Sequence, residues 1–152
     1  MKVSIDGGVP VTLCDSLMPF GAGWGPSNSI VFAPDFKGGL FRVSAEGGDP
    51  ELFTTPDKTK EEYSHRLPHW LPDGKGVLFT IMSEAYDLQP RIALLDLKTR
   101  KWRISMGDAA DARYVSTGHL VFLRQGTLMV VPFELGRHEV TGQPVPAVVN
   151  IM

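Results

Sequence analysis

Among 152 residues there is a single cysteine, Cys14, so no internal disulfide can form and no redox compartment can be read from the composition. Charge of one sign is also missing. Fifteen Lys plus Arg stand against 17 acids, net −2, which lacks the basic excess of a dedicated nucleic-acid binder. Long apolar runs are absent. The longest, Leu128 to Phe133, contains Pro132 and falls far short of the roughly 20 residues of a membrane helix. The first residues, Met1-Lys2-Val3-Ser4-Ile5-Asp6-Gly7-Gly8, carry no apolar core of an export signal before the first acid, so a soluble segment without membrane insertion is expected. Room for helices is scarce too: Pro26, Pro34, Pro50, Pro56, Pro68, Pro72 and Pro90 leave no helix of ordinary length before residue 90.

What the chain has is turns and short apolar runs. Its 43% hydrophobic content is enough for a globular core, and it holds 16 Gly and 12 Pro with no collagen-like period. Ile30-Val31-Phe32, Val77-Leu78-Phe79 and Leu120-Val121-Phe122 are β-branched or aromatic, too short for helices, and read as strands. The only helical turns expected are Asp57 to Glu62 and Asp108 to Ala112.

Repetition decides the fold. The three triplets recur at intervals of 47 and 43 residues, and an aromatic precedes each, Trp24, Trp70 and Tyr114, at intervals of 46 and 44. Turn chemistry separates aromatic from triplet in every copy: Gly25-Pro26-Ser27-Asn28-Ser29, Leu71-Pro72-Asp73-Gly74-Lys75-Gly76 and Ser116-Thr117-Gly118. Val3-Ser4-Ile5-Asp6-Gly7-Gly8-Val9-Pro10 matches Val43-Ser44-Ala45-Glu46-Gly47-Gly48-Asp49-Pro50 at an offset of 40, and acid-Gly-Gly between strands signals a tight hairpin. Units of about 40–45 residues with four short strands are the signature of β-propeller blades.

The expected architecture is therefore all-β, a partial propeller of about three and a half four-stranded blades. Residues 1–13 would form an outer half blade, and 14–56, 57–106 and 107–152 would form full ones. In the first, strands are expected at Ala22–Trp24, Ser29–Ala33, Gly39–Ala45 and Pro50–Thr54. The second is Ser64–Trp70, Gly76–Met82, Pro90–Asp96 and Trp102–Ser105, and the third Ala112–Val115, His119–Arg124, Thr127–Phe133 and Pro144–Val149. A blade buries both faces against neighbours, so an incomplete ring predicts self-association, completion by another propeller segment, or a longer parent protein.

Three stretches carry a resemblance: Gly47-Gly48-Asp49-Pro50, Ser64 to Lys75 (SHRLPHWLPDGK) and Gly118 to Leu128 (GHLVFLRQGTL), with the tail Pro132-Phe133-Glu134 and Val140 to Pro146. They resemble TolB-like, WD-like propeller repeats, more narrowly the propeller region of bacterial receptor-like serine/threonine protein kinases. The resemblance covers nearly the whole chain. It implies a non-catalytic sensor or interaction module, commonly extracytoplasmic, attached to a catalytic domain elsewhere. No glycine-rich loop, His-Arg-Asp or Asp-Phe-Gly occurs in this segment, so it cannot supply phosphoryl transfer itself.

The densest polar-aromatic cluster is Glu62, Tyr63, His65 and Arg66, at the entry to an inner strand, with Asp111 and Arg113 near the equivalent strand of the next repeat. Such a constellation reads as a channel-mouth contact surface for a peptide, glycan or protein ligand, or as residues paired and wedged between blades. His65 and His69 have zinc-ligand spacing on a helix, but on a strand they stand roughly 13 Å apart, so no metal and no cofactor are expected. Gly25-Pro26-Ser27-Asn28-Ser29 lacks the final glycine of a nucleophile elbow. Lys98-Thr99-Arg100-Lys101 reads as a solvated hairpin tip rather than a nucleic-acid surface, and Cys14 as a buried thiol. A propeller lyase or hydrolase, or a peptidase-associated propeller, is the alternative; it requires His, Asp or Glu from several blades to converge.

Overall fold

The computed structural model describes residues 1–84 and 89–148. The chain is all-β, and apart from two single-turn 3-10 segments at Pro26–Asn28 and Lys58–Lys60 its regular structure is antiparallel sheet. Sheet 1 takes β1 (Ala22–Trp24), β2 (Ser29–Phe32), β3 (Phe41–Ser44) and β4 (Glu51–Leu52) in chain order. Sheet 2 takes β5 (Glu62–Trp70), β6 (Gly76–Ser83), β7 (Arg91–Asp96) and β8 (Lys101–Gly107), again in order. Sheet 3 runs β9 (Ala110–Val115), β10 (His119–Arg124), β11 (Thr127–Glu134), β12 (Glu139–Val140), with β13 (Val145–Val148) also on β11. Each expected strand has its counterpart within two residues at either end. Val149 lies outside the described residues.

Two details depart from expectation. Asp108 to Ala112 is not a helical turn: Asp108 and Asp111 both take positive φ (48° and 51°) and β9 begins at Ala110. Short polar Asp is among the residues best able to take that conformation, which ends helix propagation there. The extra strand β12 arises because β11 is long enough for two partners. Phe133 and Glu134 pair with Val140 and Glu139, while Leu128 to Val130 pair with β13.

Repetition in sequence becomes repetition of geometry. Lys2 pairs with Val11 in an isolated antiparallel bridge, and 40 residues on Arg42 pairs with Glu51 in the β3–β4 hairpin. Both turns are held the same way. Gly7 and Gly47 donate to the carbonyls of Ser4 and Ser44 (3.1 and 2.9 Å), and the serine Oγ atoms accept from Asp6 and Glu46 (3.2 and 3.1 Å). Each glycine pair has positive φ, as a tight turn demands. The hairpin of residues 2–11 joins none of the three sheets, and Lys2 reaches Glu46 at 3.5 Å.

The sheets stack face to face, which explains the runs of Val, Leu and Ile. On β6 and β7, Val77, Phe79, Ile81, Ala93 and Leu95 pack toward sheet 1 with Val31, Leu40 and Phe53. Leu78, Ile92 and Leu94 pack toward sheet 3 with Leu120, Phe122, Val131 and Phe133. A sheet buried on both faces needs apolar residues at successive positions, not at alternate ones. The seams are stitched across sheets: His65 N–H donates to Gly38 O (2.9 Å), Leu67 N–H to Phe20 O (2.8 Å), Trp70 Nε1 to Gly23 O (3.1 Å) and Asp111 N–H to the Thr80 hydroxyl (3.0 Å).

Close approach of the residues before β3 to those after β4, within sheet 1, needs Gly39, where an added Cβ would lie 1.6 Å from the Thr54 carbonyl oxygen. Gly39→Ala is expected to lower stability by about 2–3 kcal/mol through forced backbone displacement. Gly107→Ala, with nothing within 4 Å of the added carbon, should stay within about 0.5 kcal/mol. Urea unfolding followed by tryptophan fluorescence compares the two.

Candidate functional site

The first seam closes on a buried polar relay. Thr54, just past β4, accepts the Leu40 N–H at its Oγ1 (2.9 Å), so its own hydrogen is free for His65 Nδ1 at 2.7 Å. That fixes the His65 tautomer: Nε2 carries the proton and donates it to Glu62 Oε2 at 3.1 Å. The same carboxylate oxygen accepts the Asp57 N–H (2.8 Å). His65 is wholly buried, packed on Phe79 (centroids 4.7 Å) and edge-on to Trp102 (5.3 Å). Burial pushes its pKa below the ordinary imidazole value, opposed by the Glu62 hydrogen bond and charge and assisted by Arg91.

Beside the relay lies a cleft of about 840 Å³, bounded by the start of β3, the Thr54-Thr55-Pro56 connection and the entry to β5. Glu62 and Tyr63 line it, with Lys37, Phe41 and Leu52 opposite. Tyr63 tilts against Phe36 (6.2 Å) and carries Lys37 Nζ 5.5 Å from its ring centre. Arg66 points elsewhere: its guanidinium bonds Ser64 Oγ (2.8 Å) and the Phe36 carbonyl and stacks over Phe20 at 4.3 Å. The polar cluster expected at one contact surface is thus divided. Glu62 and Tyr63 reach the cleft, His65 is interior, and Arg66 clamps the 16–21 segment and the β2–β3 loop.

Asp111 and Arg113 belong to the second seam. Arg113 Nε donates to Asp111 Oδ1 at 2.8 Å, and His69 stands close enough for both to act on its pKa, which burial lowers, Arg113 lowers further and Asp111 raises. These two residues and the Glu62–Tyr63 pair do not meet. A recurrent bulge sets this arrangement. Gly21, Leu67 and Asp111 each have positive φ (98°, 52° and 51°), three residues before Trp24, Trp70 and Tyr114. In sheet 2 the bulge between Arg66 and His69 shifts the side-chain alternation, so His65 faces sheet 1 and His69 faces Asp111 and Arg113. Positions four apart therefore lie on opposite faces.

Other candidates resolve similarly. Among the described residues no group of three His, Cys, Asp or Glu could hold a metal ion. Ser27 sits in the Pro26–Asn28 turn with positive φ, Arg100 of the basic tip stacks on Phe53 at 4.8 Å, and Cys14 is half-buried rather than buried. His138 bridges to Asp73 at 2.7 Å across the second seam. Sequence reasoning missed Thr54, whose role depends on pairing between repeats; nothing in local spacing announces it.

Comparison with known proteins adds the fold. No protein-family model matches the chain, and no curated protein matches it. It is similar to the crystal structure of TolB from Acinetobacter baumannii, with TM-score 0.68 and 22% identity. That match covers 92% of this chain and 36% of TolB, so the chain spans about a third of that protein's length. At this identity the likeness establishes a TolB-like β-propeller fold.

The relay gives stability a pH sign. A histidine whose folded pKa lies below its unfolded value favours the folded state fully above about pH 6.5, and that contribution is lost as pH falls toward the folded value. The urea midpoint should drop between pH 7.5 and 5.5. His65→Gln should lower stability by about 2–4 kcal/mol at pH 7.5 and flatten the pH dependence, leaving mainly the His69 component.

Proposed function

We propose that the chain is a non-catalytic recognition segment of a propeller, a run of about three and a half blades whose two outer faces are covered by further blades of the same or another chain. Support comes from registered apolar rows on both far faces. On sheet 1, Trp24, Ile30 and Val43 form one row, and Ala22, Phe32, Phe41 and Leu52 the next. On sheet 3 the rows are Val121, Val130 and Val145, then Leu123, Leu128 and Val148. Trp24 is 57% exposed and Leu52 55%, although Phe32 and Val43 in the same rows are already buried; Val145 and Val148 are exposed by 53% and 48%. Apolar rows in pairing register on an open sheet face are what a neighbouring sheet covers elsewhere in the same molecule.

The kinase-linked sensor parentage rests on the order and spacing of the Gly-Gly-x-Pro and Pro-Asp-Gly elements. A kinase domain encoded upstream in the same reading frame would support it; its absence would remove it. A propeller enzyme has less support. Thr54, His65 and Glu62 are hydroxyl, imidazole and carboxylate in the order of a hydrolytic triad, yet the Thr54 residue is 3% exposed and its oxygen already accepts the Leu40 amide. Such a hydroxyl locks a seam better than it meets a substrate.

The carrying observation, the open apolar rows, sets the test. At high concentration the purified chain should scatter as a species larger than 16.7 kDa. Trp24→Asp or Val130→Asp, which place a charge in one row each, should reduce that mass with little change in the far-ultraviolet spectrum. A monomer throughout the range overturns the reading.

A further inference from the structure

Glu62 is a buried carboxyl group with one unpartnered oxygen among the described residues. Its side chain is 1% exposed, and its only interactions among the described residues run through Oε2, to the Asp57 N–H and His65 Nε2. Oε1 accepts nothing from those residues while Glu62 lines the cleft. Burial pushes the pKa of His65, the side-chain partner on Oε2, below the ordinary imidazole value, against the Glu62 hydrogen bond and charge. A carboxylate held in a low-dielectric site with one free oxygen is costly until a cation or a strong donor meets it.

The surroundings narrow the class of cation. Divalent metals need several converging oxygen ligands, and among the described residues no group of three candidate ligands exists here. The walls instead combine the apolar and aromatic Phe41, Leu52, Pro56 and Tyr63 with two lysines, Lys37 and Lys58, and two further carboxylates, Glu61 and Glu84. The Tyr63 face already carries Lys37 Nζ at 5.5 Å, a geometry in which the ring attracts positive charge. A charged head that donates hydrogen bonds, on an apolar stem of three or four methylenes, matches both ends of this cleft.

We infer that the cleft between β3, the Thr54–Pro56 connection and β5 is a socket for a lysine or arginine side chain of a polypeptide partner, seated with its charge on Glu62 Oε1 and its stem between Leu52 and Tyr63. This assignment rests on the recognition reading above and names the chemistry recognised. The buried relay then serves the socket as well as the seam, since His65 and the Asp57 N–H hold Glu62 Oε2 and leave Oε1 as the oxygen without a partner among the described residues.

The test uses the full chain, nitrogen-15 labelled, titrated with capped Ala-Ala-X-Ala-Ala peptides in which X is lysine, arginine, norleucine or glutamate, and separately with n-butylammonium. Lysine and arginine peptides should shift the Thr55, Glu62 and Tyr63 amide signals saturably, at least tenfold more tightly than the norleucine peptide. Butylammonium should bind at least threefold more weakly than the lysine peptide. Glu62→Gln should reduce lysine-peptide affinity at least tenfold, and Tyr63→Ala, which leaves the relay untouched, at least threefold. Equal binding of norleucine, preference for glutamate, no shift with any peptide, or butylammonium as tight as the lysine peptide each overturns the socket. The association reading is decided by mass alone, so the failure of one is distinguishable from the failure of the other.

Discussion

The first seam depends on one imidazole. His65 takes a hydrogen bond from Thr54 on the sheet 1 side and gives one to Glu62 at the head of β5, while its ring fills the space between Phe79 and Trp102. Apolar contact alone would let two sheets slide across each other, because dispersion and burial have little directional preference. A buried relay does not permit sliding, since each displaced partner would leave a polar group unsatisfied away from water. The register of sheet 1 against sheet 2 is therefore set by polar geometry within an apolar seam. Gly39 lets the Thr54 segment close on the start of β3 within sheet 1, and Leu40 supplies the first donor.

The fold was legible in the sequence because its repeats carry the same chemistry at the same spacing. Pro-Asp-Gly and acid-Gly-Gly turns specify where strands stop, and the apolar triplets mark the second strand of each sheet. The site was legible only in part. Glu62, Tyr63, His65 and Arg66 stand within five residues, yet strand alternation and the bulge send them to a cleft, a seam and a neighbouring loop. Proximity in sequence on a strand separates side chains as often as it gathers them. Thr54 and Leu40 could not be found, because their meeting with His65 is a contact between repeats. The helical turn expected over Asp108 to Ala112 failed for a related reason: two aspartates that suit a helix start also suit positive φ, and the β5–β9 seam takes the second option.

The bulge at Gly21, Leu67 and Asp111 links these outcomes. Glycine takes positive φ without cost, but leucine and aspartate in that region are uncommon, leucine especially. Gly21 must remain small for a second reason, since an added Cβ would stand 2.9 Å from the Leu67 Cα. The bulges of the first two sheets thus lie against one another, and those at Leu67 and Asp111 rotate the following side chains of their strands. Without the rotation, His65 and His69 would share a face, and the second seam would lose the imidazole that stands beside Asp111 and Arg113. A strained backbone position in each repeat gives every first strand two differently directed halves.

That division explains why one strand can serve two purposes. The first half of β5, Glu62 to Arg66, faces the relay, the cleft and the Phe20–Phe36 clamp; the second half, His69 and Trp70, closes on Asp111, Arg113 and the Gly23 carbonyl. Binding at the cleft would act on the half that is fixed by hydrogen bonds, where a shift of Glu62 is felt at once by His65 and through it by Thr54. A ligand that binds the folded seam and not the unfolded chain stabilises the fold, so occupancy of the proposed socket and seam stability rise together by mass action. Recognition at this edge and cohesion between the first two sheets are consequently the same electrostatic problem.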